Sequence, residues 1–561
     1  MSKVAQSIWY TLLVAGLLIV GGIAPAMAAP GEVDPGPGTY PASGQPGVAK
    51  PNSDAFTDTL IDALKMSGFQ VSQGYPRLYQ FQDCIDYTYP VLKNCLSANP
   101  AAPYVIPIVK LWRDEYVDPA TANAFGYTDP GYSSIYRLDP REAIVIFGQM
   151  PPAGRYMSLQ TLVFSEHGKW KAKDYNYLAN TPDLPIPIQY LFQTIPPGDA
   201  KSQRVISASS LADQINNVVM ERQSGYAFGQ TRYFIITPSA AMDGAVRRAL
   251  QAQGVQDGHI FTQQIPSRDD FGPIGPLGMG KNAVEFISAF RYAVPVDPVA
   301  AQAWRARLPL TVLRVRGTGG ADKRYPSLTL EPRTANCETY LAGDLQKLVE
   351  GVCASVSEGA DLTSADCEQS PPASTFIPDM VHDLGWFGPY CRSIEMNCMV
   401  DQRESSVYLS PVRSLDSGQV IAVVGTLATE TRNATYVGLS ATDVSMMAGV
   451  ANVLDTDVVV PDKGTIKGLK GSADSYATTV NNTAKFFVHY FAEDCDVLKD
   501  VDGGKENCST TLGVEPAIGD PVLRGKFIIA LRDYIATGTQ RGPDPSKLLT
   551  PRILTFTQQQ P

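Results

Sequence analysis

The chain reads as a β-rich α+β protein, with two β-sandwich-like domains, docked helices and one βαβ-like unit. Three observations predict this. The 47 glycines and 43 prolines among 561 residues supply the punctuation of a turn-rich β protein. An apolar strand that ends in glycine and leads to a Tyr/Leu strand occurs twice, once in each half. One stretch of about 30 residues runs strand, helix, strand, the pattern of a parallel crossover.

Lys3 opens a basic head, Ile8 to Ile23 is apolar, Pro25 breaks the run, and Ala26-Met27-Ala28 offers a peptidase small residues. This is the pattern of a secretory signal peptide over residues 1–28. The apolar run of about 16 residues is short of the roughly 20 that a membrane span needs, which favours cleavage over anchoring. No later stretch is apolar enough to span, so no transmembrane segment is expected after cleavage. The expected location is secreted or periplasmic. Residues 29–52 are rich in Pro, Gly, Ala and Ser without a period and read as a flexible leader.

Ser53 caps the first helix, with Phe56, Leu60 and Leu64 on one face and Gly68 at its end. Strands follow at 104–110 and 143–148. Ser210 is read as opening a helix faced by Leu211, Ile215, Val218 and Val219. The crossover runs from Tyr233-Phe234-Ile235-Ile236-Thr237 through a helix bearing Met242, Ala245, Val246 and Ala249, past Gly254, to His259-Ile260-Phe261. Its Pro238-Ser239-Ala240 turn lacks the glycines of a phosphate loop, which speaks against a nucleotide. Leu310 to Arg316 is a strand and 317–333 the interdomain link, so the domains span 53–316 and 334–561. Thr334 caps a helix faced by Cys337, Leu341, Leu345, Leu348 and Val352. Asp520-Pro521 starts a last helix through Phe527, Leu531 and Tyr534 to Gly538, and 552–556 is a final strand.

The internal echo pairs Ala143–Gly148 and its sequel Arg155-Tyr156-Met157-Ser158-Leu159 with Val420–Gly425 and its sequel Thr435-Tyr436-Val437-Gly438-Leu439. Each is read as a hairpin, and the two as related sandwich halves. The REAIVIFGQMPPAGRYMSLQ and NATYVGLSA segments resemble exported bacterial proteins of unknown function with paired jelly-roll-like domains. That resemblance implies a tandem β-sandwich and carries no catalytic residue.

The composition is globular, 44% hydrophobic and 18% charged. A net charge of −10 excludes a basic field for nucleic acid. Nine cysteines in an exported chain read as disulfides first, and no Cys/His spacing suggests zinc. Short loops pair Cys84 with Cys95, Cys391 with Cys398, and Cys495 with Cys508. A helix of 16 residues between Cys337 and Cys353 would hold them about 24 Å apart. A bridge needs Cα atoms within about 7 Å, so Cys353 goes to Cys367 and Cys337 is left odd.

Four candidate sites emerge. Glu166 with His167, and His382 with Asp383, are carboxylate–imidazole neighbours suited to acid–base chemistry. A structural histidine is the plainer reading of each, and no GxSxG elbow supplies a nucleophile. Trp386, Phe387 and Tyr390 could stack on a sugar ring or plug a core beside a disulfide. Asp494, Asp496, Asp500 and Asp502 alternate in a Gly-bent loop, the spacing of Ca²⁺ ligands. Lys505 and the missing terminal Glu break the EF-hand pattern, and a solvated acidic turn is the plainer reading. His489, in an apolar run, and His259 are read as structural. Asn433, Asn481 and Asn507 head sequons. The expected function is a binding or surface-associated module for an extracellular carbohydrate or other ligand. The alternatives are a secreted hydrolase using an acid pair or a His–carboxylate pair, and a structural envelope component.

Overall fold

The computed structural model describes residues 54–96, 103–168, 171–180, 197–198, 203–319, 324–368, 374–375, 377–378, 392–393, 395–397, 400, 402–460, 464–511 and 525–558. The leader, the signal segment, His382, Asp383, Trp386, Phe387, Tyr390, Cys391 and Cys398 lie outside them. The architecture is β-rich α+β, with one large curled sheet and smaller ones.

The curled sheet belongs to the N-terminal half. Its strands are β1 (Gln70–Tyr79), β2 (Tyr104–Lys110), β3 (Glu142–Gln149), β4 (Gly154–His167), β5 (Arg204–Ser210), β6 (Thr231–Thr237), β7 (Ile260–Gln264), a short hairpin β8 (Arg268–Asp269) and β9 (Gly272–Pro273) beside it, β10 (Glu285–Pro295) and β11 (Leu310–Arg316). The order across the sheet is β5-β4-β10-β2-β1-β11-β3-β6-β7. β1 turns the corner: Gln70 to Gly74 pair with β11, and Tyr75 to Tyr79 pair with β2.

The C-terminal half has β12 (Leu362–Thr363), β13 (Ser405–Leu409), β14 (Val420–Thr426), β15 (Tyr436–Asp443), β16 (Ala448–Leu454), β17 (Phe486–Ala492), β18 (Cys508–Thr510), β19 (Lys526–Tyr534) and β20 (Arg552–Gln558). They form two sheets, one running β12-β20-β14-β17-β18 and the other β13-β19-β15-β16. Ile421 and Val423 of the first share a core with Val437, Leu439, Ile529 and Leu531 of the second.

The two halves repeat one topology. β1-β11-β3-β6-β7 matches β12-β20-β14-β17-β18, antiparallel throughout except for the last pair, which is parallel in both. β2-β10-β4-β5 matches β13-β19-β15-β16. The register repeats as well: Val145 lies between Leu313 and Ile235, and Ala422 between Leu554 and Tyr490.

The echo segments therefore correspond, but neither is a hairpin. β3 and β4 never pair, and β14 and β15 lie in different sheets. Each is an arch whose strands face each other through a core, as Ile144 and Ile146 meet Met157 and Leu159. The four residues between β3 and β4 include Pro151 and Pro152, which cannot donate to a ladder, whereas tight hairpins want two-residue turns. Gly148 (φ +147°) begins the arch, where a Cβ would fall 2.1 Å from the Pro309 carbonyl oxygen.

Helices cover the outer faces. In α1 (Ala55–Met66), Asp54 rather than Ser53 is the N-cap, accepting from Thr57 N at 2.7 Å. Leu60 and Leu64 pack on Val145, Phe147 and Val315. α2 spans Asn217–Ser224, so it starts seven residues after Ser210. Asn216 supplies its cap, while Leu211 and Ile215 reach the core before the helix begins. α3 (Ala240–Ala252) joins β6 to β7 and completes the crossover, capped by Ser239. α4 (Ala342–Ala360) buries Leu345, Leu348, Val352 and Val356 against β14 and β20. It begins after Cys337, which is exposed and unbridged, not part of the apolar face.

The C-terminal helix expected from Asp520 to Gly538 is instead strand β19 in its described part. Phe527, Leu531 and Tyr534 match a helical period only because the strand is buried on both faces, which erases alternation. Cys84–Cys95, Cys353–Cys367 and Cys495–Cys508 are bridged, with Cα atoms 5.7, 5.9 and 5.8 Å apart. Such bridges mark an oxidising compartment. Among the described residues no helix is long and apolar enough to cross a membrane.

Candidate functional site

The end of β4 borders a cleft of about 230 Å³. Glu166, His167, Val205, Phe271, Arg392 and Glu395 are among its walls. That volume falls below the roughly 300–1,000 Å³ of pockets for drug-sized molecules, so the site suits something small.

The strand sets the direction of each side chain. A bulge interrupts the β4–β5 ladder between Val163 and Ser165, and another shifts β10 between Glu285 and Phe286. Bulges re-aim side chains beside functional sites. Ser165 turns inward, where its hydroxyl donates to Glu285 and accepts from Arg204 Nε at 3.0 Å. By alternation Glu166 points the opposite way, into the cleft. Gly168 closes the strand; a Cβ there would strike Val205 at 2.3 Å.

Arg392 organises the polar groups described around the cleft. Arg392, only 5% exposed, holds Asp269 at 2.7 Å and donates to the Pro273 carbonyl oxygen at 2.6 Å. These contacts tie the segment around residue 392 to the β8–β9 hairpin, whose turn carries Phe271. Glu166 Oε1 is 3.8 Å from Arg392, too far for a hydrogen bond, and no other described group donates to it. Burial pushes the Glu166 carboxyl up to about 7. Arg392 and Arg204 pull it down, and Asp269 and Glu395 add to the rise. The imidazole of His167 follows on the same strand. The arrangement can donate or accept one proton near neutrality and hydrogen-bond a small polar molecule.

This shift has a thermodynamic consequence. Between about pH 4.5 and 7 the folded chain keeps a proton on Glu166 that the unfolded chain has released. Stability therefore falls as pH rises through that window. Glu166→Gln should abolish this slope and add about 3 kcal/mol at pH 8. Urea unfolding at pH 5 and pH 8 measures it; an unchanged slope in the variant would refute the assignment.

Of the expected site residues that lie among the described ones, Glu166 and His167 meet in a cleft. Arg392, Asp269 and Phe271 escaped the sequence reading, because they come from distant segments. The only local hint was the turn-forming Asp269-Asp270-Phe271-Gly272.

In the acidic loop, Asp496 is paired with Lys505 at 2.5 Å, and Asp494 caps a short helical turn by accepting from Asp496 N at 2.9 Å. Among the described residues no three His, Cys, Asp or Glu side chains converge as a metal-binding group. His489 is buried within hydrogen-bonding distance of Ser509 Oγ, 2.9 Å, and burial pushes it down to about 3, so it stays neutral. Of the sequon asparagines, Asn433 and Asn507 are buried and donate to Glu338 and the Gly503 carbonyl oxygen, while Asn481 is exposed.

No family model matches the chain, and no curated protein does. Among solved structures it is similar to an uncharacterized protein of Burkholderia cenocepacia, with 11% identity and a TM-score of 0.33 over 90% of this chain and 96% of that one. It is also similar to the VPA0106 protein of Vibrio parahaemolyticus, with 11% identity and a TM-score of 0.29 over 75% of this chain and 87% of that one.

Proposed function

We propose that this is an exported, disulfide-stabilised protein of two related β-rich domains that binds a small hydroxylated ligand, a carbohydrate by class, in the cleft at the end of β4. The observation that carries this reading is the Glu166 carboxyl: half-buried, facing a cleft, and with one shielded oxygen accepting no hydrogen bond among the described residues. A ligand hydroxyl satisfies such a group. Phe271, 51% exposed at the rim, offers a flat apolar face of the kind that packs on a sugar ring. Calorimetric titration of the mature protein with simple sugars tests the reading. Binding that weakens at least tenfold in both Glu166→Gln and Phe271→Ala is expected. Binding indifferent to both substitutions would overturn it.

A second reading is hydrolysis by an acid pair. It draws on Asp269 and Glu395 lying close enough to raise the Glu166 carboxyl, whose position near 7 suits a general acid. Turnover of a glycoside that Glu166→Gln abolishes would favour this reading over simple binding.

A further inference from the structure

One end of the C-terminal sandwich carries acids where the rest of its core is apolar. Phe527, Ile529 and Leu531 of β19 point into the core between the two sheets, and Asp533 continues that face. Arg532 and Tyr534 take the opposite face. Asp533 is 3% exposed, and its Oδ1 has no hydrogen-bond partner among the described residues.

Two more buried carboxyls lie beside it. Val437 is the ladder partner of Asp533 on β15, and it bonds Asp455 in both directions. Asp455 N donates to the Val437 carbonyl oxygen at 3.0 Å, and Val437 N donates to Asp455 Oδ1 at 3.3 Å. Glu338 comes from the segment before α4 and accepts from Thr426, Thr431, Asn433 and the backbone N of Leu549. Arg155 of β4 reaches this end from the N-terminal half and is held by Asp455 at 2.5 Å. Lys470, whose N donates to the Asp455 carbonyl oxygen, sends its side chain to Glu430, and Arg432 is exposed. The charges that bear on Asp533 are both negative, those of Glu338 and Asp455.

We propose that this end of the sandwich is a proton-gated seam. It stays closed, and tied to the N-terminal half through Arg155, while Asp533 carries a proton, and it opens as that proton is lost. The inference is independent of the Glu166 cleft.

The surroundings of Asp533 call for the proton. A carboxylate sealed from water needs donors or a cation. Glu338 is met by four donors and Asp455 by Arg155. Asp533 has neither and faces both acids, so the seam closes over its neutral form. Burial pushes this carboxyl well above the usual carboxylate range, and Glu338 and Asp455 add to the rise.

The step is a proton release. Opening admits water, Asp533–COOH becomes Asp533–COO⁻, and the proton passes to solvent. Above pH about 4, where a solvated aspartate is ionised, each opening event releases one proton. The open fraction should therefore rise about tenfold per pH unit, until pH reaches the range of the closed group.

Hydrogen exchange of the full mature chain between pH 6 and pH 8, corrected for the intrinsic rate, tests the seam. It is run on the parent and on Glu166→Gln, because the Glu166 slope acts on global unfolding. Exchange in peptides covering β15 and β19 should quicken about tenfold per pH unit in both, while β14 stays level. Asp533→Asn should remove this dependence. Arg155→Gln strips Asp455 of its cation, so a second proton should leave on opening and the dependence should steepen. A level response in the parent, an equal rise in β14, or a rise that survives Asp533→Asn would overturn the seam. Should Asp533→Asn fail to fold, Arg155→Gln decides: an unchanged slope would assign the proton to Asp455 and overturn Asp533 as its carrier.

Discussion

Replacing Arg314 with methionine should cost about 3–5 kcal/mol, a large fraction of the roughly 5–15 kcal/mol that holds a folded domain together. Arg314 stands on β11 with its side chain wholly buried. Its guanidinium pairs with Glu115 at 2.5 Å and with Glu142, and donates to the carbonyl oxygens of Lys110 and Arg137. It also lies over the Trp112 ring at 5.4 Å. Both carboxylates are sealed from water, and burial already pushes Glu142 up against the pull of Arg314. Methionine fills much of the volume but leaves two buried carboxylates without their cation. They must then take protons, so the deficit should grow as pH rises from 5 to 8. Glu142→Gln on the same background should recover part of it, because one uncompensated charge is gone. Urea unfolding of the single and double variants measures the loss and the coupling. A loss under 1 kcal/mol, or no dependence on pH, would show that the network is hydrated in solution.

That network also shows where sequence reading stops. Glu115, Glu142 and Arg314 are separated by 27 and 172 residues, and charged residues inside a strand ordinarily signal a solvated face. Only the curled sheet, which closes over their ends, buries them together. Period-based signals fared better where an element had one wet face. α1, α3 and α4 were legible from their spacing, and so was the crossover, because a parallel pair needs a helix between its strands. β19 misled because a strand buried on both faces has no alternation. The arches misled for a related reason: composition marks a strand but not its partner. Disulfide geometry was legible, since a helix after Cys337 excludes a bridge to Cys353 and leaves Cys367. Glu166 and His167 could be singled out as neighbours, but the residues facing them, Asp269, Phe271 and Arg392, belong to a hairpin and a segment over 100 residues away.

The internal echo predicts a second large effect, at the junction of the two halves. Tyr156 and Tyr436 hold corresponding places in the repeated arches, and their rings meet there at 5.5 Å. Tyr534 stacks on Tyr436 at 4.3 Å. Arg291 lies over the rings of Tyr104, Tyr156 and Tyr534 at 5.4, 5.5 and 5.5 Å, and donates to the Tyr534 hydroxyl at 2.9 Å. Glu404, wholly buried, accepts from the Tyr156 hydroxyl at 2.6 Å and from Asn216 at 2.9 Å. Burial pushes the Glu404 carboxyl up and the nearby Arg291 charge pulls against it. Glu404→Leu should leave the buried Tyr156 hydroxyl and Asn216 amide without this acceptor, at a cost of about 2–3 kcal/mol. Glu404→Gln keeps an acceptor for Tyr156 and should cost less. Because these contacts join residues from both halves, the loss should fall on their coupling. Calorimetry of Glu404→Leu should then resolve two melting transitions where the parent shows one. If the halves are not separate cooperative units, a single transition will move to lower temperature as a whole, and the reading of the chain as two domains would fail with it.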